Sequence, residues 1–374
     1  MPTPPAKTRW PEGILLRVAF ITVGDTGRKT GGYLYNARVI SDLRKRGVEI
    51  EEVVAGGASP EEQRTAAPRL GSTFDTSKFD TIVVDALARI AVAPNLERWL
   101  ASCPVVALVH ELPSAARGGS GPETVARERD YEEPLLRADR FIAVSDHERN
   151  VLLGRGVSPG RIRVVSPGFD GIPADHGSRV QVDGSVRALC VAQWIPRKGI
   201  LTLVEAWALR GRKSAVLELI GETDADPDYT ARVRAAIGAA PQGSIVVSGC
   251  VDDASLGASY ASADLFVLPS RYEGYGIVYA EALAFGLPIV ACDAGPVPDL
   301  VGQEAAILVR PDDKGELSAA LDLLLENPRL RAQMSAAAIR RASHLPRWQD
   351  TATAFEDVLR SAVSAPKQAR IPDT

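Results

Sequence analysis

The chain is poor in the residues on which metal, disulfide and membrane proteins depend. Four cysteines in 374 residues, Cys103, Cys190, Cys250 and Cys292, stand far apart. That spacing excludes the close pairs of a zinc site and gives no disulfide framework. Most of them sit in or beside apolar, strand-like runs and read as buried free thiols in a reducing cytosol. No run approaches the ~20 apolar residues that a membrane-spanning helix requires. The opening segment, Met1 to Gly13, is polar and proline-rich and lacks the apolar core of a secretory leader. Net charge is -4, so no global basic field points to nucleic acid. The expected setting is therefore cytoplasmic, and any membrane contact would be peripheral, at the inner face.

Several motifs are missing or fail on inspection. There is no His-Glu-x-x-His, no Cys-x-x-Cys and no Gly-x-Ser-x-Gly elbow. Gly27-Arg28-Lys29-Thr30 follows a strand, but a phosphate-binding P-loop needs glycine directly before the lysine. Gly154-Arg155-Gly156 has no strand before it and is no dinucleotide fingerprint. Asp224-Ala225-Asp226 lies in a polar, proline-containing loop and reads as a solvated acidic turn. No metal site is expected.

What remains is an ordinary globular composition, 45% apolar and 24% charged, in a chain long enough for about two domains. Leu15–Val23, Val48–Val54, Phe79–Val84, Val105–His110, Arg140–Val144 and Arg161–Val165 read as strands, with helices such as Tyr33–Arg46 and Glu123–Glu133 between them. Continuous Val/Ile/Leu/Ala strands separated by helices predict a parallel sheet covered on both faces. Ser145-Asp146-His147-Glu148 fits a capping box that opens a helix. Ser166 to Ser185, with six glycines and prolines among Pro167, Gly168, Gly171, Pro173, Gly177 and Gly184, has a linker composition. A second alternating series comes next: Val186–Ala192, Ala215–Ile220, Ser244–Val247, Leu265–Leu268, Pro288–Ala291 and Ala305–Val309. Helices are expected at Leu317–Glu326, Pro328–Ser343 and Trp348–Val363, and the polar Pro366–Thr374 tail is expected to be disordered. The fold class is α/β, with two doubly wound, Rossmann-like domains facing a central cleft: residues 1–172, then 173–347, the helix at 348–363 completing the first domain and 364–374 forming the tail. In such sheets ligands bind beyond the carboxyl ends of the strands.

The densest chemistry is Ser270-Arg271-Tyr272-Glu273-Gly274-Tyr275-Gly276, followed by Glu281. An apolar strand ends at Pro269 and a helix is predicted over Ile277 to Phe285. One glutamate thus sits in a glycine-rich strand-to-helix turn, and the other one to two turns into the helix, at about 1.5 Å rise per residue. Free amides at a helix start favour phosphate. Carboxylates beside them suit hydroxyls, so phosphate plus hydroxyls suggests a sugar nucleotide. Gly31-Gly32 opens a helix after the first strand and can present amides from the first domain. Arg197 and Lys198 follow the first strand of the second domain, and two cations suit a diphosphate.

Together these segments resemble the retaining glycosyltransferases of family 4, which have the GT-B fold. Gly31-Gly32 resembles the N-terminal glycine loop, Val109-His110-Glu111 the segment bearing the active-site histidine, and Val165 to Asp170 the inter-domain linker motif. Glu273 and Glu281 match the Glu-x7-Glu signature. Gly286-Leu287-Pro288-Ile289-Val290-Ala291 and Gly295-Pro296-Val297-Pro298-Asp299 match the segments C-terminal to that signature in the family. Trp348 resembles the aromatic residue that opens the last helix. The resemblance implies that Glu281 holds the donor ribose and Glu273 the sugar hydroxyls, with the amides of Gly274, Tyr275 and Gly276 at the sugar and phosphate. Lys198 would bind the diphosphate with Arg197 beside it, His110 would lie near the donor sugar and leaving phosphate, and Val251 would meet the base through its main chain. His110, Lys198 and Glu273 are the implied catalytic residues.

The implied activity is metal-independent transfer from a nucleotide-diphosphate sugar, UDP-linked as first choice and GDP-linked as second, to a hydroxyl of a saccharide, glycolipid or small molecule. The nucleotide sugar is a substrate, and no cofactor is expected. A sugar phosphorylase on the same scaffold and a non-catalytic sugar-nucleotide binder are the alternatives. One departure stands out: aligned on Lys198-Gly199, the family's second diphosphate-binding arginine is Gln193, a neutral amide. Glu111 takes no assigned role, nor do His147, His176 and His344. Acceptor contacts are expected from loops at Arg117–Pro122 and Gly56–Arg64. The basic helix end formed by Arg38, Arg44, Lys45 and Arg46 suits a helix C-terminus, and secondarily an anionic lipid surface.

Overall fold

A computed structural model describes residues 15–24, 26–27, 30–57, 59–116, 121–171, 185–209 and 215–364. The 172/173 boundary, the Pro366–Thr374 tail, Arg28, Lys29, His176 and most of Arg117–Pro122 lie outside the described residues.

The first half builds β1 (Arg17–Val23), α1 (Gly31–Lys45), β2 (Glu49–Ala55), α2 (Pro60–Thr73), β3 (Thr81–Asp85), α3 (Arg89–Ser102), β4 (Val105–Val109), α4 (Pro122–Glu132), β5 (Arg140–Ala143), α5 (Asp146–Gly154) and β6 (Ile162–Val164). Its strands form one parallel sheet in the order β2-β1-β3-β4-β5-β6. The second half builds β7 (Val186–Val191), α6 (Ile200–Leu209), β8 (Ala215–Ile220), α7 (Pro227–Ala239), β9 (Ile245–Gly249), α8 (Asp253–Ser262), β10 (Leu265–Leu268), α9 (Ile277–Ala284), β11 (Ile289–Cys292), α10 (Val297–Val301) and β12 (Ala306–Val309). That sheet is also parallel, in the order β12-β11-β10-β7-β8-β9. Three helices complete the chain: α11 (Lys314–Glu326), α12 (Pro328–Ala342) and α13 (Trp348–Ser364).

The central strands are buried at every position, β3, β4, β10 and β11 alike, because helices cover both faces. Alternate residues of β1 serve opposite faces. Ala19 and Ile21 join one first-domain core with α3, and Val18 and Phe20 join another with α1. Into this second core α13 inserts Phe355, Val358, Leu359 and Ala362, spaced as one helical face. The last helix therefore packs on the first domain, against α1. The two chain crossings are bound together: Phe169 donates its backbone N–H to the Pro346 carbonyl (2.8 Å), and Asp170 accepts from Trp348 N (3.2 Å) and Arg38 Nη2 (2.8 Å).

Four sequence expectations need correction. Only half of the capping box at Ser145 forms: its hydroxyl accepts from Glu148 N, while the Glu148 carboxylate is drawn into the domain interface. Cys250 is exposed, since it follows the edge strand β9, whereas the other three cysteines are buried. Gly56–Arg64 is not all loop, because Ser59 caps α2 in a full capping box and the helix starts at Pro60. Asp226 is no free acidic turn but the N-cap of α7, accepting from Tyr229 N. The basic end of α1 is occupied internally: Arg38 and Lys45 pair with Asp42, Arg44 with Glu52, and Arg46 with Glu356. No described helix is long and apolar enough to cross a membrane.

Candidate active site

The signature segment leaves β10, crosses the space between the sheets and enters α9. The N-cap of α9 is Gly276, at φ 99° with no side-chain cap, so a side chain there would be strained and would meet the Tyr279 ring. Gly274 is required for a different reason: a Cβ there would lie 1.9 Å from the carbonyl oxygen of His110 in the other domain. Ser145 Oγ donates to the Gly274 carbonyl (2.8 Å), and Tyr275 packs against the cores of both domains.

Glu273 sits inside this turn and is 6% exposed. Lys198 Nζ donates to both of its carboxylate oxygens, at 2.6 and 2.8 Å, Ser270 Oγ donates to Oε1 (2.6 Å), and Arg197 Nη1 lies 3.7 Å away. Burial works against its charge, but Lys198, Arg197 and the hydrogen bonds from Lys198 and Ser270 outweigh it and hold the carboxyl below its ordinary range. Arg197 also bridges the domains, pairing with Glu111 Oε2 (3.2 Å) and donating to the Tyr272 carbonyl (2.8 Å). Two cations and two carboxylates thus meet at the cleft.

His110 directly follows β4 on the facing side. Its Nε2 lies 2.9 Å from Asn36 Oδ1, and Asn36 Nδ2 donates to Asp85 Oδ2 (2.6 Å). The Asn36 amide presents its oxygen to the ring, so the histidine proton is on Nε2. Burial, the largest influence, lowers the histidine pKa against the opposing pull of Asp85 and Glu111. The ring is neutral at neutral pH. Gly32, in the first turn of α1, faces this ring, and Gly31 faces Ile277 at the start of α9.

The structure thus gathers Gly31, Gly32, His110, Arg197, Lys198, Glu273, Gly274, Tyr275 and Gly276 around one inter-domain contact. Glu281 and Val251 stand apart from it. Glu281 is partly buried on α9, accepts from Tyr260 Oη (2.8 Å), and burial pushes its pKa up to about 7. Val251 follows β9 and packs on the edge of the second-domain core. Gln193 Nε2 donates to Glu222 Oε2 (2.6 Å).

Sequence reasoning missed the residues that support these. Asp85 is wholly buried and binds Thr22, Asn36 and Leu87 N; a carboxylate closing the apolar strand Thr81–Asp85 was the available signal. Glu111, Glu148 and His147 gained roles from packing that no motif announces. A cavity of about 880 Å³ also lies between the domains on the linker side, lined by His147, Ser166, Tyr275, Asp299, Arg341 and His344, among others. Lys198, Glu273 and Glu281 do not line it.

Two family models match in tandem. Residues 30–171 match the model described as Glycosyltransferase Family 4, and residues 173–341 match Glycosyl transferases group 1. The chain belongs to the family 4 glycosyltransferases of the GT-B fold. Among its relatives, an MMP alpha-(1->4)-mannosyltransferase of Mycolicibacterium hassiacum is 33% identical over 70% of this chain and 66% of its own length. A D-inositol 3-phosphate glycosyltransferase 2 of Catenulispora acidiphila is 30% identical, with the same two coverages of 70% and 66%. The chain therefore spans just under two thirds of these relatives. In fold, this family 4 member resembles a sucrose-phosphate synthase of Thermosynechococcus elongatus at TM-score 0.79, with 22% identity, over 92% of this chain and 98% of the other. It also resembles HepE of Anabaena, in complex with UDP and glucose, at TM-score 0.75 with 18% identity over 92% and 100% of the two chains.

Proposed function

We propose that this chain transfers a sugar from a nucleotide diphosphate to a hydroxyl acceptor, with retention at the anomeric carbon and without a metal ion. The observation that carries this reading is the contact between Lys198 and Glu273, 2.6 Å apart across from His110. Lysine suits the diphosphate and glutamate suits the sugar hydroxyls. In this reading their contact would lie where sugar and phosphate join, at the bond that breaks. As it breaks, negative charge builds on the diphosphate oxygens. Lys198, Arg197 and the uncapped amides at the start of α9 would stabilise that charge in a site from which the two domains exclude water.

The nearest carboxylate is poorly placed to act as a nucleophile. Both oxygens of Glu273 accept from Lys198 and one also from Ser270. A charge-neutralised, hydrogen-bonded carboxylate is weak, which supports attack on the donor's front face, with the leaving diphosphate taking the acceptor's proton. Neutral His110, fixed through Asn36 and Asp85, would hold the sugar in place. UDP is the first nucleotide to test, since UDP and UDP-glucose are bound in structures of HepE.

The deciding experiment is a calorimetric screen of UDP-, GDP- and ADP-sugars, followed by turnover with the one that binds. Lys198→Ala is expected to lower kcat/KM by roughly 10- to 100-fold, the worth of one charge-assisted hydrogen bond. Unchanged turnover at subsaturating donor would remove the diphosphate assignment. Phosphate-dependent cleavage of a glycoside without nucleotide would instead indicate a phosphorylase.

A further inference from the structure

The two residues directly beside Glu273 in the signature turn, Tyr272 and Gly274, are held by the opposite domain. Tyr272 is 4% exposed, and its hydroxyl donates to Glu148 Oε1, on α5 of the first domain, at 2.5 Å. His147 of the same helix turn lies 3.2 Å from that hydroxyl and packs edge-on against the ring, with centroids 5.5 Å apart. On the other side of Glu273, Ser145 at the N-cap of α5 donates to the Gly274 carbonyl. The first turn of α5 therefore grips the residue before Glu273 and the residue after it.

The grip has a cost that a purely structural turn would not carry. Glu148 is 0% exposed, and its Oε2 has no hydrogen-bond partner among the described residues, although the Leu112 backbone also acts on the carboxyl. Had its side chain turned back to the Ser145 amide, the capping box would have closed locally. It reaches across the interface to Tyr272 instead. Burial, the dominant influence, pushes its pKa up to about 8, so the group is mostly a neutral acid at neutral pH. A buried acid left half-satisfied is a recurrent mark of function.

We propose that Tyr272 and Glu148 are positioning residues for Glu273: their hydrogen bond couples contact between the two domains to placement of the sugar-side carboxylate. This rests on the reading of Glu273 as the group that holds the donor sugar. When the domains separate, the Tyr272–Glu148 and Ser145–Gly274 bonds break together, and the turn loses both anchors beside Glu273. A donor bound to the second domain alone would then have its nucleotide held but its sugar unfixed. Water could reach the anomeric carbon only in the state least suited to activate it.

Two measurements test this. The first needs no ligand: hydrogen exchange of the free protein, read on peptides covering residues 270–281 and 145–152. Tyr272→Phe, which removes one oxygen and keeps the ring, is expected to speed exchange in both peptides at least threefold and to leave β3, β4 and β11 unchanged. Exchange unchanged in both peptides would overturn the coupling.

The second compares calorimetric affinities for UDP-glucose and for UDP, with GDP-mannose and GDP used instead if that pair binds wild type more tightly. Tyr272→Phe is expected to weaken the nucleotide sugar about tenfold and the free nucleotide less than twofold. Glu148→Ala should match it, and Glu148→Gln, which keeps an acceptor for the phenol, should recover most of the loss. Equal weakening of both ligands would mean a general structural role and would overturn the proposal. Glu273→Gln is the control for the underlying reading. If that variant keeps the full preference for nucleotide sugar over nucleotide, Glu273 does not hold the sugar, and the positioning role falls with it even if the exchange result stands.

Discussion

At the scale of single residues, the site is governed by which charges are paired before any ligand arrives. Glu281 carries a pKa raised to about 7 by burial. A ribose diol is best held by the carboxylate form, which only accepts hydrogen bonds. Nucleotide affinity should therefore rise as pH climbs from 6 to 8, and Glu281→Gln should lower the affinity and abolish its share of that slope. Calorimetric titration of UDP at three pH values checks this, with the variant also correcting for titration of the phosphate. Gln193 poses a related question. Its side chain donates to Glu222, so an arginine placed there would meet a carboxylate at once. Gln193→Arg alone should change donor affinity by less than about twofold, while Gln193→Arg with Glu222→Gln should raise it up to about tenfold, the range of one charge-assisted bond. A large gain from the single variant would show that Glu222 does not neutralise the position.

At the scale of elements, the signature turn and the first turn of α5 behave as one joint. Gly274→Ala places a methyl group against the His110 carbonyl, and neither backbone can yield cheaply. The variant should lose about 1–3 kcal/mol of stability, as overpacking does, and more than about tenfold in kcat/KM because the domains can no longer meet. Full activity with a lowered Tm would show that closure of this contact is not needed. Glu148 gives the joint a pH signature. Its folded pKa of about 8 exceeds its ordinary 4.5, so its contribution is fully present below pH 4.5 and is lost as pH rises through about 8. Burial raises that value most, the hydrogen bonds from Tyr272 and the Leu112 backbone lower it, and the charges of Glu111 and Glu132 raise it; His147 faces Tyr272 beside it. Denaturant midpoints should fall from pH 5 to 8 in the wild type, and Glu148→Gln should flatten part of the fall. An identical slope in both proteins would mean that Glu148 ionises freely. Little of this joint could be read from the chain. Ser145 and Glu148 have capping-box spacing, and local spacing does not reveal that the glutamate finds a better partner 124 positions away in Tyr272.

At the scale of the whole molecule, the chain passes between the domains twice, and the second passage matters for stability. Phe355 is wholly buried in the first-domain core although it follows the entire second domain in sequence. Phe355→Ala should cost about 3–5 kcal/mol and lower the unfolding transition of the first domain, while the transition of the second, which Phe355 does not enter, should shift little. Calorimetric unfolding with two resolved transitions checks this, and an equal shift in both would mean that the domains unfold as one unit. The crossing was legible at Trp348, and the amphipathic spacing of residues 355, 358, 359 and 362 was visible too. That the first domain receives that face was implied by the family resemblance, and α13 does pack on α1; periodicity alone reports only that a stripe will be buried and is silent about the partner.

The sequence by itself determined the two parallel sheets, the turn that carries Glu273 and the helix that carries Glu281. Strand and helix periodicity, glycine positions and motif order are local properties and survive in a one-dimensional reading. Tertiary structure alone decided that Lys198 and Glu273 share one contact, that burial keeps His110 neutral while Asn36 and Asp85 fix its position, and that Arg197 joins Glu111 across the cleft. It also decided that the cysteine at 250 faces solvent. Each of these depends on the free energy of bringing distant groups out of water together. That energy is set by the partner and the burial it meets, neither of which is written in the residues on either side.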